Sequence, residues 1–143
     1  MAYCSLDDIK EKISEERLIQ LTDDAGAGVV DTACVARAIA DAGAEIDAYC
    51  GSRYQVPLNP VPGIVRKFCV DIAIYSLLQR REGASEDRQR DYKNAVAFLQ
   101  NVASGKAGLG AQPEPAAPDE DSNQVSIITS RTKIFDTDTM DKY

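Results

Sequence analysis

Residues 63–78 read Gly-Ile-Val-Arg-Lys-Phe-Cys-Val-Asp-Ile-Ala-Ile-Tyr-Ser-Leu-Leu. When this segment is drawn as an α-helix, apolar side chains occur on almost every side, and such a helix belongs in a protein interior. Three prolines in residues 57–62 favour extended backbone, so the helix begins after them. The segment therefore predicts a central helix around which the other elements pack. Its candidates for packing between helices or between subunits are Phe68, Ile72 and Tyr75.

Asp71 is the acidic residue of this apolar segment. Burial and nearby charge can shift the pKa of such a carboxyl group, so a functional role is conceivable. We favour a structural ion pair, because no histidine or second carboxylate is close in sequence to complete an acid–base pair. The candidate partners, within or between subunits, are arginines, and Arg66 is assigned as the partner ahead of Arg37 and Arg53.

Two further segments have an apolar stripe on one side only. Asp31 is a suitable N-cap for a helix that runs to about Gly51, with apolar residues spaced alternately by four and three. Ser85 can cap another helix, which Gly105 ends. Both patterns predict surface helices that dock by one face. The packing candidates of the first are Val35, Ile39, Ile46 and Tyr49.

The N-terminal segment carries two helix-start signals. Ser5 and Asp8 have the spacing of a capping box, and Ser14 can cap a further turn or two before a glycine-containing loop at residues 23–28. Together with the central helix and its two neighbours, these signals predict an all-α fold. We expect a small bundle of about four main helices.

The composition changes after residue 105. Glycine, proline and acidic residues dominate residues 106–124, which cannot build a core and are predicted to be a linker after the helical domain of residues 1–105. Residues 125–143 form a predicted extended arm, in which residues 125–129 are β-prone and could form a short strand. The tail could dock back on its own domain or be disordered, but we favour binding to a partner, because its apolar side chains would otherwise be exposed aggregation risks. These contact candidates are Val125, Ile127, Ile128, Ile134 and Phe135.

The charge balance opposes nucleic-acid binding. The 143 residues carry 16 basic and 23 acidic side chains, a formal net charge of -7, whereas phosphate neutralisation needs an excess of basic groups. Acidic residues are interleaved with the arginines of residues 80–93, which is typical of a solvated mixed-charge face. No apolar run approaches the roughly 20 residues of a membrane span. We expect a soluble protein made in the cytoplasm.

Catalytic and metal-binding motifs are not found in the sequence. There is no histidine, and the four cysteines are too far apart for a C-x-x-C pair, so we expect buried reduced thiols rather than a zinc or redox site. Neither a phosphate-binding loop nor a nucleophile elbow is present. The sequence therefore predicts that the protein is not an enzyme and uses no cofactor or metal.

Several segments together resemble small Mu-like phage proteins of the head-tail connector (adaptor) type. The resemblance covers roughly residues 1–110, and the combination of segments is more specific than any one of them. The segments that carry it are residues 1–10, 36–42, 44–49, 51–54 and 61–73, followed by Tyr75 and Arg80-Arg81.

The resemblance implies a helical structural protein of the virion neck. Proteins of this type assemble as a dodecameric ring beneath the portal protein and contact a stopper or tail-side protein below. Double-stranded DNA passes through the channel of the ring without sequence-specific binding. In such connectors a C-terminal arm typically reaches into the portal, so the resemblance implies that the apolar residues of 125–135 contact the portal.

Three different functions are also compatible with the sequence. A tail-terminator or stopper subunit of the neck would share the phage context but would usually be richer in strands. A small regulatory, DNA-associated protein would use the arginines of residues 80–93 and would show salt-dependent DNA retention. An enzyme would need a site without histidine, and Asp71 would be its first candidate.

Overall fold

The computed structural model describes residues 2–110, which form five α-helices and no strand. The helices are α1 (Leu6–Lys12), α2 (Glu15–Thr22), α3 (Thr32–Cys50), α4 (Gly63–Arg81) and α5 (Glu86–Ala103). The predicted all-α fold is thereby confirmed, with three long helices and an N-terminal segment divided into two short ones. The possible strand at 125–129 lies outside the described residues.

Helix α4 is the centre of the bundle. It packs against each of the other four helices, with its most extensive contact to α3 and the next to α5. Val65, Ile72, Ile74 and Leu77 on this helix are at most 1% exposed, and burying each such side chain contributes roughly 1.5–3 kcal/mol. The prediction of a central helix is confirmed. Since the other helices of the same chain cover α4, its apolar character does not require a second subunit.

The helix starts follow the capping residues that the sequence predicts. Ser5 and Asp8 form the reciprocal capping box of α1. The side chains of Ser14, Asp31 and Ser85 accept hydrogen bonds from backbone N–H groups at the starts of α2, α3 and α5. Each such cap typically contributes about 1 kcal/mol. Helix α4 starts after Pro62 without a side-chain cap, so its position depends on packing.

The predicted packing residues lie inside the bundle or at its edge. Tyr75 is half-buried, and its ring stacks on that of Tyr92, with centroids 4.1 Å apart and planes 6° from parallel. The Tyr92 hydroxyl donates to Glu45 at 2.9 Å and so joins α5 to α3. Tyr49 is also half-buried against the core. The fully buried packing candidates are Val35, Ile39, Ile46, Phe68 and Ile72.

No helix within residues 2–110 is both long enough and apolar enough to cross a membrane.

Candidate assembly surface

Tyr3 joins the N-terminal segment to two other parts of the bundle. Its side chain is 2% exposed, and its hydroxyl donates to the carboxylate of Asp47 on α3. The same hydroxyl accepts the backbone N–H of Leu58 at 2.9 Å. Leu58 belongs to residues 51–62, here called the proline loop, which connects α3 to α4. The Tyr3 hydroxyl therefore supplies the acceptor for the buried N–H of Leu58, which lies in a segment without helix or strand hydrogen bonds.

A second tyrosine performs the same role at the other end of the folded chain. Tyr54 of the proline loop is 4% exposed, and its hydroxyl accepts the backbone N–H of Leu109 at 3.2 Å. The Leu109 side chain is itself buried. The packed part of the chain therefore continues to at least Leu109, past the domain boundary predicted at residue 105, because an apolar side chain in the glycine-rich stretch returns to the core.

The described chain ends beside an apolar groove. After α5 the backbone turns at Gly105, which has a positive φ of 83°, and the chain then passes Leu109 to reach Gly110. The groove there has a volume of about 530 Å³. We call it the exit groove, and its lining residues are Asn59, Pro60, Val61, Pro62, Gly63, Leu109 and Gly110. The residues that follow Gly110 therefore start at a defined place on the surface.

The predicted partner-contacting residues Val125, Ile127, Ile128, Ile134 and Phe135 lie outside the described residues. On the surface of residues 2–110, Val29 is the exposed large hydrophobic side chain, at 61% exposure. A single exposed valine on a loop is ordinary for a soluble surface. The apolar residues after Gly110 are therefore further candidates for contact with a partner, beside the exit groove.

Asp71 forms an ion pair, but its partner differs from the one assigned from the sequence. The carboxylate is 3% exposed. Its Oδ1 lies 2.6 Å from Nζ of Lys12 on α1, and its Oδ2 lies 3.5 Å from Nζ of Lys67. The assignment of Arg66 is wrong because side chains five positions apart on a helix point in different directions, whereas Lys67 and Asp71 are four apart and share a face.

Only one of these two lysines could have been identified from the sequence. The four-residue spacing of Lys67 and Asp71 is a recognised helical pairing. Lys12 is 59 residues away in the chain, and its approach depends on the packing of α1 against α4. Both lysine side chains remain at least one-third exposed, so each ammonium group faces the buried carboxylate while part of its side chain stays in contact with water.

The arginines at the end of α4 are paired with acidic groups of the same chain. Arg80 and Arg81 both contact the carboxylate of Asp24 in the loop between α2 and α3. The hydrogen bond from Arg80 is the largest cause of the lowered pKa of Asp24. Arg17 on α2 pairs with Glu82 just after α4. These contacts join α2 and its following loop to α4, in agreement with the predicted mixed-charge face.

All four cysteines are buried and unbonded, as expected for reduced thiols. Cys4 and Cys69 are in contact, with 3.1 Å between their sulfur atoms. Burial raises the pKa of Cys50 to about 11. Within residues 2–110, no group of three or more cysteine, aspartate or glutamate side chains is arranged to hold a metal ion.

The comparisons with known proteins define the class of the protein. Residues 3–127 match the family described as Bacteriophage Mu, Gp36, so the chain belongs to this family of Mu-like phage proteins.

Two known proteins from Mu and a Mu-like prophage are similar in sequence to this chain. The Mu-like prophage FluMu protein gp36 of Haemophilus influenzae is 41% identical over 81 residues, a match that spans 57% of this chain and 56% of that protein. Gene product J of Escherichia phage Mu is 30% identical over 128 residues, 89% of each chain. The phage family expected from the sequence is thereby confirmed.

We predict that Lys12→Met destabilises the fold by about 1–3 kcal/mol, because Asp71 would keep only its longer contact with Lys67 while remaining buried. Urea unfolding measures the effect. Lys10→Met is the matched control, since Lys10 pairs with Glu15 on the surface at 3.2 Å, and exposed pairs contribute about 0–1 kcal/mol. Equal losses in the two variants would contradict the importance assigned to the buried carboxylate.

We predict that Tyr3→Phe lowers the free energy of unfolding by about 1–3 kcal/mol, because the buried N–H of Leu58 would lose its acceptor. Tyr75→Phe is a suitable control: its hydroxyl accepts a hydrogen bond from Gln79 on an exposed face at 3.1 Å. The control should change stability by no more than about 0.5 kcal/mol. A Tyr3→Phe protein as stable as Tyr75→Phe would show that the shared phenol is dispensable.

We predict that the free energy of unfolding decreases at alkaline pH because Tyr3 ionises. Burial, followed by the hydrogen bond to Asp47, raises its pKa to about 12, whereas an unfolded tyrosine ionises near pH 10. The stabilisation is therefore fully present below about pH 10 and is lost as pH rises towards about 12. Denaturant unfolding should show a smaller alkaline decline for Tyr3→Phe. Tyr92, raised to about 12 as well, remains in both proteins, so identical declines would contradict the prediction.

Proposed function

We propose that this protein is a head-tail connector (adaptor) subunit of the virion neck. It forms a homo-oligomeric ring, dodecameric in the connectors it resembles, beneath the portal protein and above a stopper or tail-side protein. The observation that carries the proposal is that one chain of the Mu Gp36 family combines a small helical domain with a C-terminal sequence whose apolar residues follow an acidic linker. Its mechanism is assembly rather than catalysis.

The C-terminal residues are the best candidates for portal contact. Within residues 2–110, Val29 is the large hydrophobic residue that is mostly exposed, at 61%. Residues 111–143 could at full extension reach about 110 Å from the exit groove, at ~3.3 Å per residue. Val125, Ile127, Ile128, Ile134 and Phe135 lie within this reach and supply the apolar side chains that an arm needs to bind a partner.

A ring would make such an arm effective. Ordering a peptide on a partner costs roughly 1–2 kcal/mol of conformational entropy per residue, so one arm alone binds weakly. Once one subunit of a ring has bound, the arms of its neighbours are held near their own sites, which raises their effective concentration. Attachment to the portal is therefore proposed to depend on the assembled ring.

The charges suit a channel through which DNA slides. The net charge of the chain is -7, which disfavours adhesion to phosphates. Arg80, Arg81 and Arg90, three of the arginines in residues 80–93, each contact a carboxylate of their own chain, which partly offsets their positive charge. We propose that double-stranded DNA passes through without sequence-specific binding, and this pairing argues against the small DNA-associated regulator.

The stopper, tail-terminator and enzyme hypotheses receive less support. A stopper or tail-terminator subunit would usually contain more strands, whereas residues 2–110 are helical and without strand. An enzyme would require a reactive group, and Asp71 is occupied by two lysines. We propose a protein without enzymatic activity, cofactor or membrane association, made in the host bacterial cytoplasm and incorporated into the virion neck.

Co-sedimentation with purified portal rings tests the proposal. We expect full-length protein to sediment with the portal near one subunit per portal subunit. A chain ending at Gly110 should lose most of this binding, because it keeps the helical domain but lacks the apolar arm. Equal binding by both chains would overturn the role of the arm, and binding by neither would overturn the connector proposal.

A matched pair of full-length variants separates apolar contact from the mere presence of the arm. Ile127→Asp removes a predicted contact and should weaken portal binding about tenfold or more, as expected for an apolar residue central to an interface. Ser126→Asp introduces the same charge at the adjacent residue and should bind nearly as well as the natural chain. Equal weakening would indicate that added negative charge alone, not lost apolar contact, reduces binding.

A further inference from the structure

Cys4 and Cys69 form a pair of thiols in direct contact, although they are 65 positions apart in the chain. Cys4 lies in the irregular N-terminal segment before α1, and Cys69 lies in the middle of α4. The two sulfur atoms are 3.1 Å apart. The remaining cysteines, Cys34 and Cys50, are buried on α3, and neither forms a hydrogen bond with another thiol.

The geometry requires little movement for a covalent bond. A disulfide bond is about 2.05 Å long, so the sulfur atoms need to approach by about 1 Å. Cys4 can supply this movement because its backbone belongs to no helix, whereas Cys69 is fixed on the central helix. The neighbouring Tyr3 is held by Asp47 and Leu58, so the segment keeps Cys4 against α4.

The surroundings make the two thiols unequal. Cys4 is 7% exposed and Cys69 is fully buried, so Cys4 is the less deeply buried of the two. The hydrogen bond with Cys69 lowers the pKa of Cys4, the nearby Arg66 guanidinium acts in the same direction, and burial and Asp8 oppose it. The same hydrogen bond, together with burial, raises the pKa of Cys69. Cys4 is therefore the more nucleophilic thiol.

We propose that Cys4 and Cys69 are an oxidisable pair that closes to an intramolecular disulfide when the folded protein meets a peroxide. The Cys4 sulfur attacks hydrogen peroxide and becomes a sulfenic acid, with release of one water molecule. The Cys69 sulfur then attacks the sulfenic sulfur, forming the S–S bond and releasing a second water molecule. Two thiols lose two electrons and two protons, which reduce one peroxide to two waters.

The bond would join the N-terminal segment covalently to the central helix. Its closed loop spans residues 4–69 and includes α1, α2, α3 and the proline loop, so it would restrict the unfolded chain over more than half of the described residues. If the protein occupies the virion, as proposed above, the pair is reduced during synthesis in the cytoplasm and meets oxidants after release. That timing depends on the proposed function, whereas the cross-link does not.

Peroxide treatment of the free full-length protein tests the pair. Folded protein is exposed to hydrogen peroxide, then denatured, alkylated with iodoacetamide and analysed by peptide mass spectrometry. We expect a mass decrease of about 2 Da before alkylation, a linked Cys4–Cys69 peptide, and alkylation at Cys34 and Cys50. Dithiothreitol should reverse the change, and the oxidised protein should unfold at a higher temperature. Portal binding plays no part, so this result and that of the connector experiment are independent.

Two variants identify the thiols involved. Cys34→Ser should form the linked peptide as the natural chain does, because Cys34 is outside the pair. Cys4→Ser should form no disulfide and should keep its other thiols available for alkylation. The peptide map of the natural chain is decisive even if a variant folds poorly. Retention of all four thiols, disulfides between chains, or a Cys4 sulfinic acid without cross-link would each overturn the proposal.

Discussion

The burial of most of α4, at Val65, at residues 68–74 and at Leu77 and Leu78, is the constraint on which the rest of this structure depends. Every other helix contacts α4, so the position of each in the bundle depends on the part of α4 that it covers. One residue of α4 makes this burial unfavourable. The Asp71 carboxylate is almost completely removed from water, and burying a charge costs free energy unless the charge is paired. Lys12 of α1 and Lys67 of α4 pair with this buried carboxylate. The short first helix therefore supplies part of the positive charge that the core requires.

In a helix, backbone N–H groups are satisfied by backbone carbonyls. In the irregular segments of this protein, two tyrosine hydroxyls take that role. Tyr3 and Tyr54 each bury an aromatic ring and accept a backbone N–H that would otherwise have no partner. Both interactions involve the proline loop, so the chain near Tyr3 and the chain near Leu109 are attached to one connecting segment. The domain therefore has its two ends fixed by side chains, and the geometry of the proline loop determines where both lie.

Features encoded locally could be predicted from the sequence. The capping residues Ser5, Ser14, Asp31 and Ser85 and the apolar pattern of α4 depend on neighbours within a few residues, and the structure places these helices as expected. Features that depend on tertiary packing could not be predicted from the sequence. Lys12, Tyr3 and Tyr54 belong to no periodic pattern, and Leu109 lies in a glycine-rich stretch that resembles a linker.

The same distinction applies to the candidate sites. Cys4 and Cys69 are 65 residues apart, a spacing that carries no motif, so only the docking of the N-terminal segment on α4 reveals them as a pair. The apolar residues of 125–135 could be identified from the sequence as candidate contact residues, because they contrast with the polar stretch before them. The contacts proposed for them would depend on a partner's surface, which the chain's own sequence does not encode.

The attachment of Leu109 to the proline loop has a consequence for symmetry. Identical subunits with a fixed starting point for the C-terminal residues would, in a ring, present those starting points at equal angular intervals and at one height above the ring plane. A partner of matching rotational symmetry would then meet all of them in a single orientation. In the proposed ring, the hydrogen bond between Tyr54 and Leu109 would thereby help to align the subunits with a partner ring of the same symmetry.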